Sequence, residues 1–210
     1  MLDLDLHGYR LAAVMAQQRS GTHFLGSCLG SHPDVKYTGE IFCRNVPQTW
    51  EQLVKMLDRV VCDECKVVVL DTKYNQINPL MEQLLERPEV TVIHLLRKDL
   101  LRLYFSGEVH SWRGQPGNKD HIPVFKFNDP RYREIVQARR ECIEQFSYLE
   151  DLRLVYEDLT ANQEVPGLPE WASRQICDLL GVEFQMLTTG CRKEAPVDFR
   201  KHLEGYECVM

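Results

Sequence analysis

The chain has 210 residues, of which 44% are hydrophobic and 27% charged, and this composition is typical of one folded globular domain rather than a disordered or fibrous chain. Its 31 acidic and 25 basic residues give a net charge of −6, which argues against a protein that coats nucleic acid. No run approaches the roughly 18 consecutive apolar residues of a membrane span, and the acidic amino end lacks the features of a signal peptide, so we expect a cytoplasmic protein with no membrane span.

Short apolar runs alternate with helical patterns along the chain. Five runs predict buried strands, at residues 11–16, 35–37, 67–70, 90–96 and 152–156. Six patterns predict helices, at residues 22–30, 48–61, 76–86, 100–110, 131–148 and 170–180, with Gly181 as a helix stop. Strands that alternate with helices pair in parallel through right-handed crossovers. The prediction is therefore an α/β fold, an open and mostly parallel central sheet of about five strands flanked by helices, in a single domain over residues 1–210.

Residues 111–130 show no clear period and are rich in glycine and proline. A loop of that length in a compact domain is usually a lid or a binding segment, or else disordered. We predict an acceptor-binding or lid loop here, with disorder as the alternative.

The eight cysteines are scattered through the sequence, which favours reduced thiols over a disulfide framework. Cys62 and Cys65 are the one close pair, and a zinc site would require a second pair or histidines at ligand spacing. The sequence therefore predicts no metal site.

The turn after the first predicted strand has the composition of an anion-binding loop. Residues 17–24 read Gln-Gln-Arg-Ser-Gly-Thr-His-Phe and lead into a helical pattern. Backbone N–H groups at a helix start have no intrahelical acceptor and lie at the positive end of the helix dipole. Gly21 permits close backbone approach, the hydroxyls of Ser20 and Thr22 add donors, and Arg19 adds a positive charge. An ordinary helix start with a serine cap is the alternative.

This turn differs from the phosphate loop of ATP-dependent enzymes. That loop reads G-x-x-x-x-G-K-[ST], with the lysine on the terminal phosphates and the hydroxyl on magnesium. Here both the glycine pair and the lysine are missing. These differences argue against a kinase-like phosphotransferase, which is kept as an alternative function. A non-catalytic nucleotide-binding domain is a further alternative.

Residues 19–23, Arg-Ser-Gly-Thr-His, resemble the 5′-phosphosulfate loop of the sulfotransferases that use 3′-phosphoadenosine 5′-phosphosulfate (PAPS), with His23 in place of the usual hydroxyl residue. Later segments resemble the same family in its own order along nearly the whole chain, among them the Tyr-Glu-Asp-Leu of residues 156–159, which we expect to be mainly structural. The resemblance implies a P-loop-NTPase-like sulfotransferase fold and PAPS as the sulfuryl donor without a required metal. It implies a hydroxyl acceptor on a carbohydrate, a lipid or a small metabolite.

The family binds the 3′-phosphate with an arginine after a strand and a serine on the next helix. Ser106 resembles that serine, and counting back from it at the family's usual spacing gives Lys98, whereas the arginine is Arg97. Either cation could pair with the phosphate. Arg192 and Lys193 resemble the family's late basic segment and either close over the 3′-phosphate or form a solvated basic pair.

Sulfuryl transfer also requires a base and a group that stabilises the leaving oxygen. Glu40 follows the second predicted strand and is the first candidate base, because ligands of open α/β sheets bind outside the carboxyl ends of the strands. The resemblance implies the same role, with an ordinary surface glutamate as the alternative. Lys73 follows the third strand and resembles a family lysine that would stabilise charge on the bridging oxygen, unless it simply faces water.

Two histidines border the loop at 111–130, and four arginines lie on the fifth predicted helix. His110 and His121 are alternative bases, since some branches of the family use histidine. The arginines either bind an anionic acceptor or form a solvated helix face: Arg131, Arg133, Arg139 and Arg140.

Overall fold

The computed structural model describes residues 8–61, 65–114, 122–161, 166–190 and 198–206. Its strands are β1 (Arg10–Ala16), β2 (Val35–Tyr37), β3 (Val67–Lys73), β4 (Val90–Leu96), β5 (Phe125–Lys126), β6 (Leu152–Val155) and β7 (Leu203–Glu204). Its α-helices are α1 (Thr22–Leu29), α2 (Trp50–Leu57), α3 (Pro79–Leu85), α4 (Leu100–Arg113), α5 (Asp129–Phe146), α6 (Tyr156–Thr160) and α7 (Glu170–Leu180). None of the helices in these ranges combines the length and hydrophobicity needed to cross a membrane.

Five strands form one parallel sheet in the order β2-β3-β1-β4-β6. β1 lies at the centre and pairs with β3 along its whole length, from Arg10 opposite Val67 to Ala16 opposite Lys73. The carboxyl ends of β1, β3 and β4 therefore lie at one edge of the sheet, together with the turns that follow them. The predicted α/β architecture is confirmed.

Both faces of the sheet are buried, as expected for parallel strands that have helices on both sides. Alternate residues of β1 point to opposite faces. Ala12 and Val14 pack in a cluster with α1 and α7, whereas Ala13 and Met15 pack in a second cluster with α2 and α3. Helix α7 ends at Gly181 in the left-handed conformation (φ 56°), as the sequence predicts.

One predicted strand is too short. β3 continues beyond residue 70 to Lys73, because Asp71, Thr72 and Lys73 pair with the last three residues of β1. All three side chains are buried, so the sheet takes polar groups into its interior at the edge where the site lies.

The predicted loop at 111–130 is also too long at both ends. Helix α4 continues to Arg113. Helix α5 already begins at Asp129, because the Asn128 side chain caps it and a proline is well tolerated in a first helical turn. β5 lies between them and pairs with β7, while residues 115–121 are outside the described part of the chain.

Residues near the carboxyl end of the chain pack on α4. The Phe105 ring lies 5.9 Å from the Phe125 ring and 5.6 Å from the Phe199 ring, measured between centroids. These contacts pack β5 and the residues just before β7 on α4.

Candidate active site

In the turn between β1 and α1, two of three successive residues have a left-handed backbone conformation. Arg19 has φ 68° and Gly21 has φ 97°. This conformation is easy for glycine and strained for arginine, and such strain is typical of functional loops. Gly21 is the N-cap of α1 and no side chain caps the helix, so the alternative of a serine cap does not hold. The first N–H groups of α1 remain suited to an anion.

Tyr156, the first residue of α6, lies directly against this turn. A Cβ atom on residue 21 would overlap the Tyr156 ring, so the position requires glycine for space as well as for backbone conformation. The same ring contacts Arg97, whose guanidinium lies 4.9 Å from the ring centroid. The residues that follow β1, β4 and β6 thus meet at one aromatic ring.

Arg97 is buried at the end of β4. One of its terminal nitrogens donates to the backbone oxygen of Arg19 at 2.7 Å. Burial lowers the pKa of Arg97 from its ordinary value, and the neighbouring Tyr156 and Glu157 partly oppose that shift. Arg19 in turn donates through Nε to the Ser106 hydroxyl at 3.1 Å. The structure therefore brings Arg19, Arg97 and Ser106 together.

Lys98 points elsewhere. Its ammonium pairs with both oxygens of Asp158 at 3.1 Å, and its backbone N–H donates to Glu157 at 2.9 Å. Successive residues at a strand end face opposite ways. Of the two candidate cations for a 3′-phosphate, Arg97 lines the same cleft as Ser106 and Lys98 does not.

Lys73 does not face water, since only 3% of its side chain is exposed. Its ammonium donates to the Thr22 hydroxyl oxygen at 2.6 Å, makes a short ion pair with Asp71 Oδ1, and lies 3.3 Å from Glu40 Oε1. Glu40 is the accessible member of this group, with 55% of its side chain exposed. The anion-binding turn, a cation and a carboxylate thus meet at one point.

Tyr37 supports this group from β2. Its hydroxyl donates to Asp71 Oδ2 at 2.6 Å, and its ring fills the space that a side chain on Gly26 of α1 would occupy. Burial and the Asp71 carboxylate raise the pKa of Tyr37 well above its ordinary value. The phenol is therefore a permanent donor to Asp71 at physiological pH.

A cleft of about 670 Å³ opens above these groups. Its walls include most of the residues that the sequence proposes for the site: Arg19, Gly21, Thr22, His23, Glu40, Lys73, Arg97, Ser106 and His110. Ser20 is buried beside them, and Lys98 lies outside the lining. Arg192, Lys193 and His121 are outside the described part of the chain.

Sequence reasoning missed several groups at the cleft. Arg44, Arg102 and Arg113 also line it. Arg102 lies one helical turn before Ser106, and this spacing is the signal that could have revealed it. Asp71 was a weaker signal, as a single acidic residue next to an apolar run.

The four arginines of α5 are engaged in other contacts. Arg131 pairs with Glu108 at 2.8 Å, and two others pair with carboxylates one turn away on the same helix, at 2.8 and 3.0 Å. Arg139 donates to the backbone oxygen of Arg97 at 2.9 Å and so supports the site from behind.

A second cavity of about 600 Å³ lies between α4 and α5. It shares four residues with the cleft: Gln18, Arg19, Asn75 and His110. Much of the remaining lining is apolar: Tyr74, Ile77, Leu103, Tyr104, Ile135, Ala138, Cys142 and Phe146. The two spaces are therefore neighbours, one strongly polar and the other partly apolar.

A buried polar chain lies beneath this second cavity. Tyr74 forms a short hydrogen bond with His94 Nε2, and His94 Nδ1 lies 2.7 Å from Glu150 Oε2. Burial lowers the pKa of His94 although Glu150 acts in the opposite direction.

No group of three or more potential metal ligands is present among the residues that the structure describes.

No protein-family model and no curated protein matches this sequence. Among solved structures, a sulfotransferase from Alicyclobacillus acidocaldarius matches 90% of this chain and 87% of its own, with a TM-score of 0.51 and 14% identity. This chain has the sulfotransferase fold. The sulfotransferase domain of the curacin biosynthetic pathway also matches, over 84% of this chain and 75% of its own, with a TM-score of 0.50 and 15% identity.

The match to a mouse sulfotransferase, SULT7A1, complexed with PAP covers 84% of this chain and 60% of the mouse protein's chain, at 13% identity. Its TM-score is 0.49, below the level that indicates a shared fold. Within the sulfotransferase fold of this chain, the cleft lies at the carboxyl edge of the sheet, where open α/β sheets bind their ligands.

Proposed function

We propose that this protein is a PAPS-dependent sulfotransferase that moves a sulfuryl group to a hydroxyl of a small-molecule, carbohydrate or lipid acceptor. The main supporting observation is the position of the Lys73 ammonium, which contacts Thr22 of the anion-binding turn and lies 3.3 Å from the Glu40 carboxylate. The turn proposed to bind the anion, a cation and the proposed base therefore lie close together in one cleft.

The charge of the cleft fits a cofactor with anionic groups at two positions. Its described lining contains a single carboxylate, that of Glu40, although the whole chain has a net charge of −6. The same lining contains six arginine or lysine side chains: Arg19, Arg44, Lys73, Arg97, Arg102 and Arg113. Arg97 Nε is buried, makes no hydrogen bond to any described residue and lies 3.8 Å from Glu157 Oε1. This surplus of donors and positive charge favours a polyanionic ligand.

Two groups of residues would hold PAPS. The N–H groups at the start of α1, with Arg19 and Thr22, would bind the 5′-phosphosulfate, while Arg97 and Ser106 would bind the 3′-phosphate. Arg19 also donates to Ser106 and so connects the two groups. When bound, PAPS supplies a sulfuryl group activated by its bond to phosphate. We expect His23 to serve as a donor near the first group, since it lines the cleft beside the turn.

Glu40 would accept the proton of the acceptor hydroxyl as the hydroxyl oxygen bonds to sulfur. Lys73 would stabilise the negative charge on the phosphate oxygen that keeps the electron pair of the broken S–O bond. His110 also lines the cleft and is the alternative base. Arg192 and Lys193 stay candidates for closing over the nucleotide.

Calorimetric titration tests this function. One ligand is 3′-phosphoadenosine 5′-phosphate (PAP), the nucleotide that remains after PAPS has transferred its sulfuryl group, and the other is ATP. We expect micromolar binding of PAP that is independent of magnesium and stronger than binding of ATP. Preference for magnesium-ATP would instead support the kinase-like alternative. Absence of binding by either nucleotide would support a domain without this activity.

Replacement of the proposed base separates catalysis from binding. Glu40→Gln should lower kcat by about 10²-fold or more, the usual effect of losing a general base, while PAP binding is retained. The matched variant His110→Asn should leave most of the activity. The opposite result for the two variants would transfer the role of base to His110.

The second cavity is the best candidate for the acceptor site. It joins the cleft beside His110 and provides an apolar surface, which favours an acceptor that has an apolar part next to its hydroxyl. A side chain on Gly107 would extend into open space, and Gly107 lines this cavity. Gly107→Phe should therefore raise the KM for the acceptor and leave PAP binding unchanged. An unchanged KM would place the acceptor elsewhere.

A further inference from the structure

The Lys73 ammonium has three hydrogens and three oxygen neighbours, each from a different element or turn. They are Thr22 at the start of α1, Asp71 on β3 and Glu40 after β2. Such a set of oxygen ligands around one buried positive charge is what a protein offers to a metal cation. Here the cation is part of the chain.

The same two kinds of ligand hold magnesium in P-loop enzymes. There the ion is bound by the Ser or Thr of the phosphate loop and by an aspartate of a second motif. In this chain Thr22 follows the anion-binding turn, and Asp71 lies on β3, the strand that pairs directly with β1.

We propose that the Lys73 ammonium takes the place that a magnesium ion holds in P-loop enzymes, and that Asp71 is the residue that positions it. This inference rests on the proposed function, because it assigns the built-in cation to the anionic groups of PAPS. It also explains how a fold of this kind would use a phosphosulfate without a bound divalent ion.

The hydrogen bonds fix the direction of each donor. Since Thr22 Oγ1 accepts from Lys73, its own hydroxyl hydrogen is directed to another acceptor, and an anion in the turn is suitably placed. Asp71 has no such freedom: one oxygen accepts from Lys73 and the other from Tyr37. With 2% of its side chain exposed, Asp71 acts through Lys73 and not on the ligand itself.

Removal of Lys73 should convert this place into a real metal site. A buried carboxylate that loses its partner is strongly unfavourable. In Lys73→Ala, Asp71 and Thr22 keep their positions, and the missing four-carbon side chain leaves room for an ion with some of its waters.

The test is sulfuryl transfer by the full chain, with Mg²⁺ or Mn²⁺ and with EDTA. Water serves as an acceptor that needs no identification, measured as sulfate released from labelled PAPS, beside a panel of phenols and alcohols. The wild type should be equally active in all three conditions. Lys73→Ala should lose about 10²-fold with EDTA, the effect of removing one transition-state donor, and regain at least tenfold with either metal.

Controls separate this role from a structural one. The double variant Lys73→Ala/Asp71→Asn should show no recovery, because the carboxylate is gone. Lys66→Ala removes another lysine paired with an aspartate, Asp34 at 2.9 Å, from the opposite end of β3, and should show neither loss nor metal dependence. Electron paramagnetic resonance should detect Mn²⁺ bound to Lys73→Ala with PAP and not to the wild type with PAP, independently of turnover.

Two results would overturn the proposal while leaving the sulfotransferase function intact. One is an active wild type that requires Mg²⁺. The other is a folded Lys73→Ala variant that neither binds Mn²⁺ nor recovers activity. If the wild type transfers sulfuryl to neither water nor any acceptor, the function itself is wrong and the inference fails with it.

Discussion

Replacement of Gly21 by alanine tests how the anion-binding turn is built. Two separate costs follow from the structure. The left-handed backbone at φ 97° costs an ordinary residue about 1–2 kcal/mol. The new methyl group would also overlap the Tyr156 ring, since even the ring atom Cγ would lie at 3.1 Å from it. That is closer than the roughly 3.5–4.0 Å of a favourable carbon contact.

The ring cannot move away freely, because Arg97 and Phe24 pack against it at 4.9 and 6.0 Å. Overpacking of this kind costs about 1–3 kcal/mol. The two effects together predict that the free energy of unfolding of Gly21→Ala falls by about 2–5 kcal/mol, a large share of the 5–15 kcal/mol typical of a domain. PAP binding should weaken as well, because Arg97 and the turn are displaced together.

Urea unfolding and PAP calorimetry measure the two effects. Gly8→Ala is the matched control, because Gly8 also has a left-handed backbone, at φ 85°, but open space where a side chain would lie. It should lose only the backbone contribution and keep its PAP affinity. Equal losses of stability in the two variants would refute the role of the Tyr156 contact.

Two further predictions concern the buried groups. Burial lowers the pKa of His94 in the folded protein, so the His94 side chain binds a proton more readily in the unfolded chain. The contribution of neutral His94 to the free energy of unfolding is therefore fully present above its ordinary pKa near 6.5 and decreases as the pH falls below that value. Urea unfolding between pH 5 and pH 8 should show this loss in the wild type and a flatter profile in His94→Gln, and identical profiles would exclude His94 as its source. Arg97→Met should weaken PAP binding by at least about tenfold, the scale of one charged hydrogen bond, whereas Lys98→Met should have much less effect in the same titration. A larger effect at Lys98 would show that the 3′-phosphate lies on the Asp158 side of the turn.

The sequence was informative wherever a pattern is local. Apolar runs placed the strands of the sheet, and the order of strands and helices predicted parallel pairing. Because parallel strands end at one edge, the turns after them could be grouped in advance, and Glu40, Lys73 and Arg19 do line one cleft. The glycines and prolines of residues 111–130 predict a loop that is too long, since α4 continues to Arg113 and a proline is compatible with the first turn of α5.

Contacts between distant parts of the chain could not be predicted in this way. Nothing in the spacing shows that Tyr37 reaches Asp71, or that the ring of Tyr156 contacts both Gly21 and Arg97. The spacing also does not show that Glu157 accepts from the backbone N–H groups of Lys98 and Asp99 after β4. Such partners are set by how the elements pack, and a single sequence does not encode them in its periodicity.

The short strand β2 has a consequence for the motions of the site. It contains three residues and lies at the edge of the sheet, and elements of this kind open more readily than the centre of a fold. Yet Tyr37, its last residue, is tied to Asp71 and packs on α1. When β2 detaches transiently, Asp71 loses a donor and Lys73 loses the fixed orientation of its partner. Amide hydrogen exchange at β2 is therefore a measurement that would report this loss of order in the cleft.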